Sequence, residues 1–413
     1  MDTRNRIGLY GSYFMCMAGI GFILPYLPLY LRQQGLSDRA IGFIWTLAAL
    51  AGLLQFPAGV WSDRLRARKP FLLAALALLA VSTYLLHGAQ GAIWLSLLAV
   101  LFAENGPCRA TVESLAGAEA VHLAPPNQVG AALGALRFWR PIGIMSVALA
   151  GSVLAGRYGP GSILLPLTVV QGLAVVAALL IHEEPAPRAL SRALASRVRP
   201  DSPSESATWR DRLLWAFVAA MVLFHAAASP GGAYLGLFVK QELGATDHFL
   251  PFVFVVMMVA WMLVVWPAGW LADRIGRKPL LLLAWLAMTV RLALIAVARS
   301  PEQILFIQLL DGLAQGLFGV LAAAWVTDRF ADPRRAGAAQ VLVGSCLVLG
   351  SALGPLLAGL IVDAVGYRGL FGLLSVMAAA ATLIVLALVP ETLPVGGLQP
   401  AALGEPRAIE GQL

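Results

Sequence analysis

The stretch Pro57-Ala58-Gly59-Val60-Trp61-Ser62-Asp63-Arg64-Leu65-Arg66-Ala67-Arg68-Lys69-Pro70 returns about 210 residues later as Pro267-Ala268-Gly269-Trp270-Leu271-Ala272-Asp273-Arg274-Ile275-Gly276-Arg277-Lys278-Pro279. Each copy lies between two long apolar runs, so a charged, Gly-containing hairpin joins a pair of hydrophobic helices in each half. A half-length repeat in a chain of this kind points to two pseudo-symmetric helix bundles around a central path. The repeat extends further. Tyr26-Leu27-Pro28-Leu29 is echoed by Tyr234-Leu235-Gly236-Leu237, and Leu149-Ala150-Gly151 by Leu357-Ala358-Gly359, both about 208 residues on.

Composition sets the solvent. Of 413 residues, 59% are hydrophobic and 12% charged, with a mean hydropathy of +0.80; a soluble domain carries about 25% charge. Apolar runs of roughly 20 residues match the thickness of a bilayer. Twelve such runs fall between residues 7 and 390, which predicts an all-α integral membrane protein. The expected organisation is a six-helix bundle over 1–182, a linker over 183–211, a second six-helix bundle over 212–390 and a flexible tail over 391–413. The linker holds Pro185, Pro187, Pro200 and Pro203 with Arg188, Arg192, Arg197 and Arg199. Most of the 29 Lys and Arg fall on one side of the predicted membrane. By the positive-inside rule that side is the cytoplasm, with both termini in it. The basic balance lies in loops rather than in a soluble domain, so no nucleic-acid partner is expected.

Several classes drop out. Cys16, Cys108 and Cys346 are scattered through apolar runs, which argues against disulfides and metal sites. The first run follows Arg4 and Arg6 as a signal peptide would. It is too long, contains Pro25 and Pro28, and lacks a small-x-small site, so it reads as an uncleaved first helix. Neither a Gly-x-x-x-x-Gly-Lys loop nor a Ser/His/Asp constellation is present, so ATP-driven transport, enzymatic catalysis and a cofactor are not expected. Arg far outnumbers Lys, which hints at a GC-rich bacterial genome and an inner-membrane location.

Ionisable side chains in hydrocarbon cost several kcal/mol unless paired or wetted, so each marks a cavity or a partner. Glu104, Arg109 and Glu113 fall in the fourth run, Arg137 and Arg140 in the fifth, Arg291 in the ninth and Asp311 in the tenth. Arg109 and Glu113 are spaced i, i+4 and can pair along one face. Arg137 and Arg140, at i, i+3, share a face that can meet Glu104 or Glu113. Four cations against three acids leave one cation without a private partner. Arg109, Arg137, Arg140 and His225 are therefore substrate-binding candidates, and Glu104, Glu113 and Asp311 are proton-coupling candidates. A locked ion-pair network is the alternative. Asn105-Gly106-Pro107 should loosen the fourth helix beside Glu104, because Pro107 cannot donate its backbone bond. Gly19, Gly21, Pro25 and Pro28 in the first helix, and Ser229-Pro230-Gly231-Gly232 in the seventh, read as gating bends.

The hairpin stretch carries a resemblance. Gly269, Asp273, Arg274, Gly276, Arg277 and Lys278 match the pattern Gly-x-x-x-Asp-Arg-x-Gly-Arg-Lys of the major facilitator superfamily. The first copy keeps Gly59, Asp63 and Arg64, has Arg66 in place of the inner Gly, and adds one residue before Arg68-Lys69. Six helices, a basic loop and six more helices resemble the same family over the whole chain. Arg137-Phe138-Trp139-Arg140-Pro141-Ile142-Gly143 resembles an Arg-Leu-Trp-Gly-Ser-x-Gly/Ala element of the branch that includes phenylpropionate and nucleoside proton symporters, with Arg140-Pro141 in place of Gly-Ser. The Gly-x-x-x-Gly-Pro element that drug/proton antiporters carry in helix five stands here in helix eleven, as Gly350, Gly354 and Pro355. The resemblance implies a monomeric secondary transporter working by alternating access, with the two hairpins as a cytoplasmic latch. The arginine cluster points to an organic anion as the small-molecule substrate, and the resemblance to its movement with protons. A proton-driven exporter of amphipathic compounds is the rival, and a non-transporting receptor on the same fold is the rival from another class.

Overall fold

The computed structural model describes residues 3–65, 67–123, 129–182, 211–329 and 336–392. Arg66 and nearly all of the 183–211 linker and of the tail lie outside them. Among the described residues the chain is helical throughout, without strands. The helices are α1 (Thr3–Ala18), α2 (Ile20–Gln33), α3 (Asp38–Ala51), α4 (Gln55–Leu65), α5 (Arg68–Gly88), α6 (Ala92–Phe102), α7 (Pro107–Leu123), α8 (Val129–Tyr158), α9 (Leu164–Leu179), α10 (Arg212–Ala228), α11 (Gly236–Gln241), α12 (Leu250–Ile275), α13 (Arg277–Val297), α14 (Pro301–Arg329) and α15 (Ala336–Leu388).

Ten segments are long and apolar enough to cross a bilayer. Two features reconcile ten with the expected twelve. The Asn105-Gly106-Pro107 break splits the fourth pass into α6 and α7, each too short alone. The last candidate, Val341–Leu388, is two passes in one, because Gly366 at φ 69° turns the chain between them. The outer flanks carry Leu, Val, Ile and Trp side chains that face outward, such as Trp266 and Ile93. In a membrane protein that is the lipid-facing surface.

Both lead helices are broken where Gly and Pro cluster. The first pass parts at Gly19 into α1 and α2, and the seventh opens into a π-helical turn over Gly231–Leu235 before α11. Such turns widen a helix locally and free backbone groups. The seventh pass begins at Asp211, whose side chain accepts from the Leu213 amide at 2.9 Å as an N-cap. It also pairs with Arg329 at the end of α14. Those two contacts hold the Asp211 carboxyl below the ordinary carboxylate range.

The halves meet at the end opposite the hairpins. The Tyr26 hydroxyl donates to the Asp247 carbonyl at 2.7 Å, and the Tyr234 hydroxyl to the Asp38 carbonyl at 2.9 Å. The Tyr367 hydroxyl donates to the Asp38 carboxylate at 2.9 Å, and Thr46 Oγ1 to the Ala352 carbonyl at 2.8 Å. Gly42 is part of this seam: a Cβ there would lie 2.4 Å from the Pro355 carbonyl and 2.4 Å from the Tyr234 hydroxyl. The described hydrogen bonds between the halves thus lie towards the end opposite the hairpins.

Candidate functional site

A cavity of about 130 Å³ lies between the halves. The breaks in the fourth pass build its charged wall. After Phe102 the chain leaves the helix, and Pro107 restarts it. Glu104 and Asn105 sit on this irregular segment, and Arg109 and Glu113 follow on α7. Non-helical backbone at membrane depth is tolerated where it lines a cavity. From α8, Arg140 reaches both acids: Nη2 lies 2.9 Å from Glu104 Oε1, and Nη1 lies 2.9 Å from Glu113 Oε2. The Tyr13 hydroxyl of α1 donates to Glu113 Oε1 at 3.0 Å. All three charged side chains keep a quarter to a third of their surface open, Glu104 24%, Glu113 32% and Arg140 33%. Water, protons and a solute can therefore reach them.

Arg109 does not make the expected i, i+4 pair with Glu113. Its guanidinium turns back to the broken end of α6, where it donates to the carbonyls of Phe102 and Ala103. It also reaches the Cys16 carbonyl at 3.2 Å and lies 4.7 Å over the Phe102 ring. With its amide turned to face the guanidinium, Gln171 accepts from Nη2 at 3.2 Å. Those carbonyls end a helix and have no partner within it, so a cation there satisfies them. Arg109 is 1% exposed, which fits a packing group better than a solute contact.

The other candidates are not seen paired with Glu104 or Glu113. Arg137 is exposed on α8, one turn from Arg140 towards the hairpin end. Asp311 is buried on α14 and pairs with Arg291 at 2.9 Å, while Arg291 Nε donates to Gln308 at 3.1 Å. His225 is buried among Phe224 and Phe318, with its ring 4.6 Å from the Phe318 centroid and edge-on to it. Neither Asp311 nor His225 lines the cavity.

The two hairpins are built alike. In the second, Arg277 Nη1 donates to Asp273 at 2.5 Å and Nε to Asp328 at 3.3 Å. Arg274 stacks on Trp270 at 4.0 Å. Gly276 has φ 107°, and a Cβ on it would lie 2.4 Å from Glu391. That space lets the Glu391 carboxylate accept from the amides of Arg277 and Lys278 at 2.9 and 3.0 Å, an anion on the first turn of α13. Lys278 Nζ donates to the Leu386 carbonyl at 3.0 Å. In the first hairpin, Arg68 holds Asp63 at 2.9 Å and faces Glu119 at 3.8 Å. Lys69 Nζ donates to the carbonyls of Leu179 and Ile181 at 2.8 and 2.6 Å. Arg64 is exposed. Sequence reasoning missed both lysine caps, Glu391 and Tyr13. The lysines had a signal, since they fall at equivalent places in the repeat.

Long apolar spans in two halves, broken lead helices, a seam between the halves and a charged cavity midway are the architecture of a membrane transporter. Residues 7–373 match the MFS_1 like family, and the chain belongs to it. An uncharacterized MFS-type transporter of Mycobacterium tuberculosis is 28% identical over 377 residues, covering 89% of each chain. The multi-drug resistance efflux pump PmrA of Streptococcus pneumoniae is 26% identical over 378 residues, covering 89% of this chain and 91% of that one. Among solved structures, the nucleoside transporter NupG superposes with a TM-score of 0.74 at 14% identity, over 94% of this chain and 98% of that one. The xylose transporter XylE from E. coli superposes with a TM-score of 0.70 at 14% identity, over 93% and 96%. At that identity the likeness is one of fold.

Proposed function

We propose that the chain is a proton-coupled symporter for a small organic anion, with Glu104, Arg140 and Glu113 as its coupling centre. The observation that carries this reading is one guanidinium held by two carboxylates inside a cavity between the halves. In the unloaded site both edges of Arg140 are taken, and an arriving anion meets two negative charges. A proton on either Glu removes one partner and frees one edge of the guanidinium. Arginine offers that edge as a two-pronged donor for a carboxylate or phosphate. Conversely, an anion on Arg140 leaves one carboxylate without its cation, which then takes up the proton. Each ligand favours the other, and that mutual coupling is the condition for symport.

In this reading the protein sits in the bacterial inner membrane as a monomer with both termini in the cytoplasm. The hairpin end then faces the cytoplasm, and the tyrosine seam closes the outer side. The hairpin ion pairs Asp63–Arg68 and Asp273–Arg277 serve as the latch that rearranges when the inner side shuts.

The test uses purified protein in liposomes under an inside-alkaline pH gradient. Arg140→Gln should bind no anion. Glu113→Gln, a permanent mimic of the protonated acid, should bind and exchange anions but fail to accumulate them. If both variants accumulate solute as the wild type does, the cluster is structural and the reading fails.

Export is a second reading, supported by likeness to proteins named as efflux pumps. A cationic amphiphile would then take the proton's place between the carboxylates. The two readings differ in proton direction: solute entry with protons acidifies the compartment the solute enters, whereas antiport alkalinises it.

A further inference from the structure

The cavity is two-faced, and the repeat shows how. Helices α8 and the first part of α15 are the fifth members of the two halves, aligned by Leu149-Ala150-Gly151 and Leu357-Ala358-Gly359. In that alignment the counterpart of Arg140 is Val348, and both side chains line the cavity. Leu347 and Ser351 accompany Val348. The acid of α14, Asp311, is buried away from it and paired with Arg291. Among the described lining residues, every charge comes from the first half. The second half contributes two aliphatic side chains and one hydroxyl.

Packing fixes this presentation. A Cβ on Gly350 would lie 2.4 Å from His225 Cβ, and one on Gly354 would lie 2.3 Å from the Ala226 carbonyl. The glycine face of the helix is thus pressed against α10. Leu347, Val348 and Ser351, at i, i+1 and i+4, occupy one stripe that faces the cavity instead. The volume of about 130 Å³ lies well below the roughly 300–1,000 Å³ of sites that enclose drug-sized ligands. The described lining contains no aromatic ring on which a base or phenyl group would stack.

We propose that the solute is a short aliphatic monocarboxylate, with its head on Arg140 and its chain on Leu347 and Val348, and that Val348 sets the chain length. This rests on the symport reading above and narrows it. A dicarboxylate would put its second charge against two aliphatic side chains with no cation among the described residues of that face, and such desolvation is costly. An aromatic acid would find no ring to stack on among the described lining residues.

Equilibrium binding by calorimetry in detergent tests the idea, since short neutral acids cross bilayers unaided. The probes are acetate, butanoate, hexanoate and octanoate, with succinate, benzoate and butylammonium alongside. Affinity should rise about fourfold per methylene until the cavity is full, then fall. Succinate, benzoate and butylammonium should not bind. Val348→Ala should move the optimum to a longer chain, and Val348→Phe to a shorter one. Affinity independent of chain length, or an optimum unmoved in both Val348 variants, would overturn the proposal. So would a preference for succinate or benzoate that is lost in Arg140→Gln, although the symport reading would survive that result. Tight binding of butylammonium alone, lost when Glu113 is replaced by Gln, would overturn both.

Discussion

Two arginines a few ångströms from the same acids have different work. Arg109 closes the end of a broken helix, and Arg140 bridges two carboxylates. Replacing Arg109 with Gln strands several buried carbonyls, each costing about 1–3 kcal/mol. Replacing Arg140 with Gln leaves two carboxylates that water can reach. We expect Arg109→Gln to lower the unfolding midpoint in detergent clearly, and Arg140→Gln to leave it within a few degrees while abolishing anion binding. Equal destabilisation by both would contradict the division of labour. The distinction was half legible in the sequence. Asn105-Gly106-Pro107 announced a break, and a break leaves carbonyls in need of donors. Helical spacing nevertheless suggested an Arg109–Glu113 pair, because i, i+4 geometry assumes that nothing nearer competes for the cation. His225 and Asp311 show the same limit: spacing placed them inside the membrane, but only tertiary packing decides which face meets the cavity.

At the level of elements, the seam at the end opposite the hairpins depends on how near the third helix comes to the fifteenth. Gly42 allows that approach. Gly42→Ala would put a methyl group against the Pro355 carbonyl and the Tyr234 hydroxyl, and neither can recede without parting the halves. The variant should favour the state in which this end is open. Spin labels at Arg39 and Asp363, which face each other across the seam at 4.0 Å, should separate by several ångströms relative to the same labels on the wild-type background. The native pair is exposed, so its removal costs little. An unchanged distance distribution would show that the seam absorbs a methyl group. Helix identities were readable from apolar runs and from the hairpin repeat, and the bends in the first and seventh passes from Gly and Pro. The tyrosine seam was not, since a Tyr–carbonyl contact between residues about 200 apart leaves no local pattern.

For the whole molecule, orientation comes first. Reporter fusions within 183–211 and at the C-terminus should both report cytoplasm, and an extracytoplasmic linker would reverse the sidedness assigned to the closed seam. The shared guanidinium then has an electrical consequence. Glu104, Arg140 and Glu113 sum to one negative charge when empty. With one proton and one monovalent anion aboard, the sum is again one negative charge. The moving parts carry the same charge in both directions, so a full cycle transfers none across the bilayer. Membrane potential exerts about 2.3 kcal/mol per 100 mV on each elementary charge moved, and nothing on a cycle that moves none. A potassium diffusion potential imposed with valinomycin should therefore leave accumulation unchanged in either polarity. Only the proton gradient should set the final solute ratio, so such a carrier keeps working in a cell that has lost its voltage but kept its pH difference.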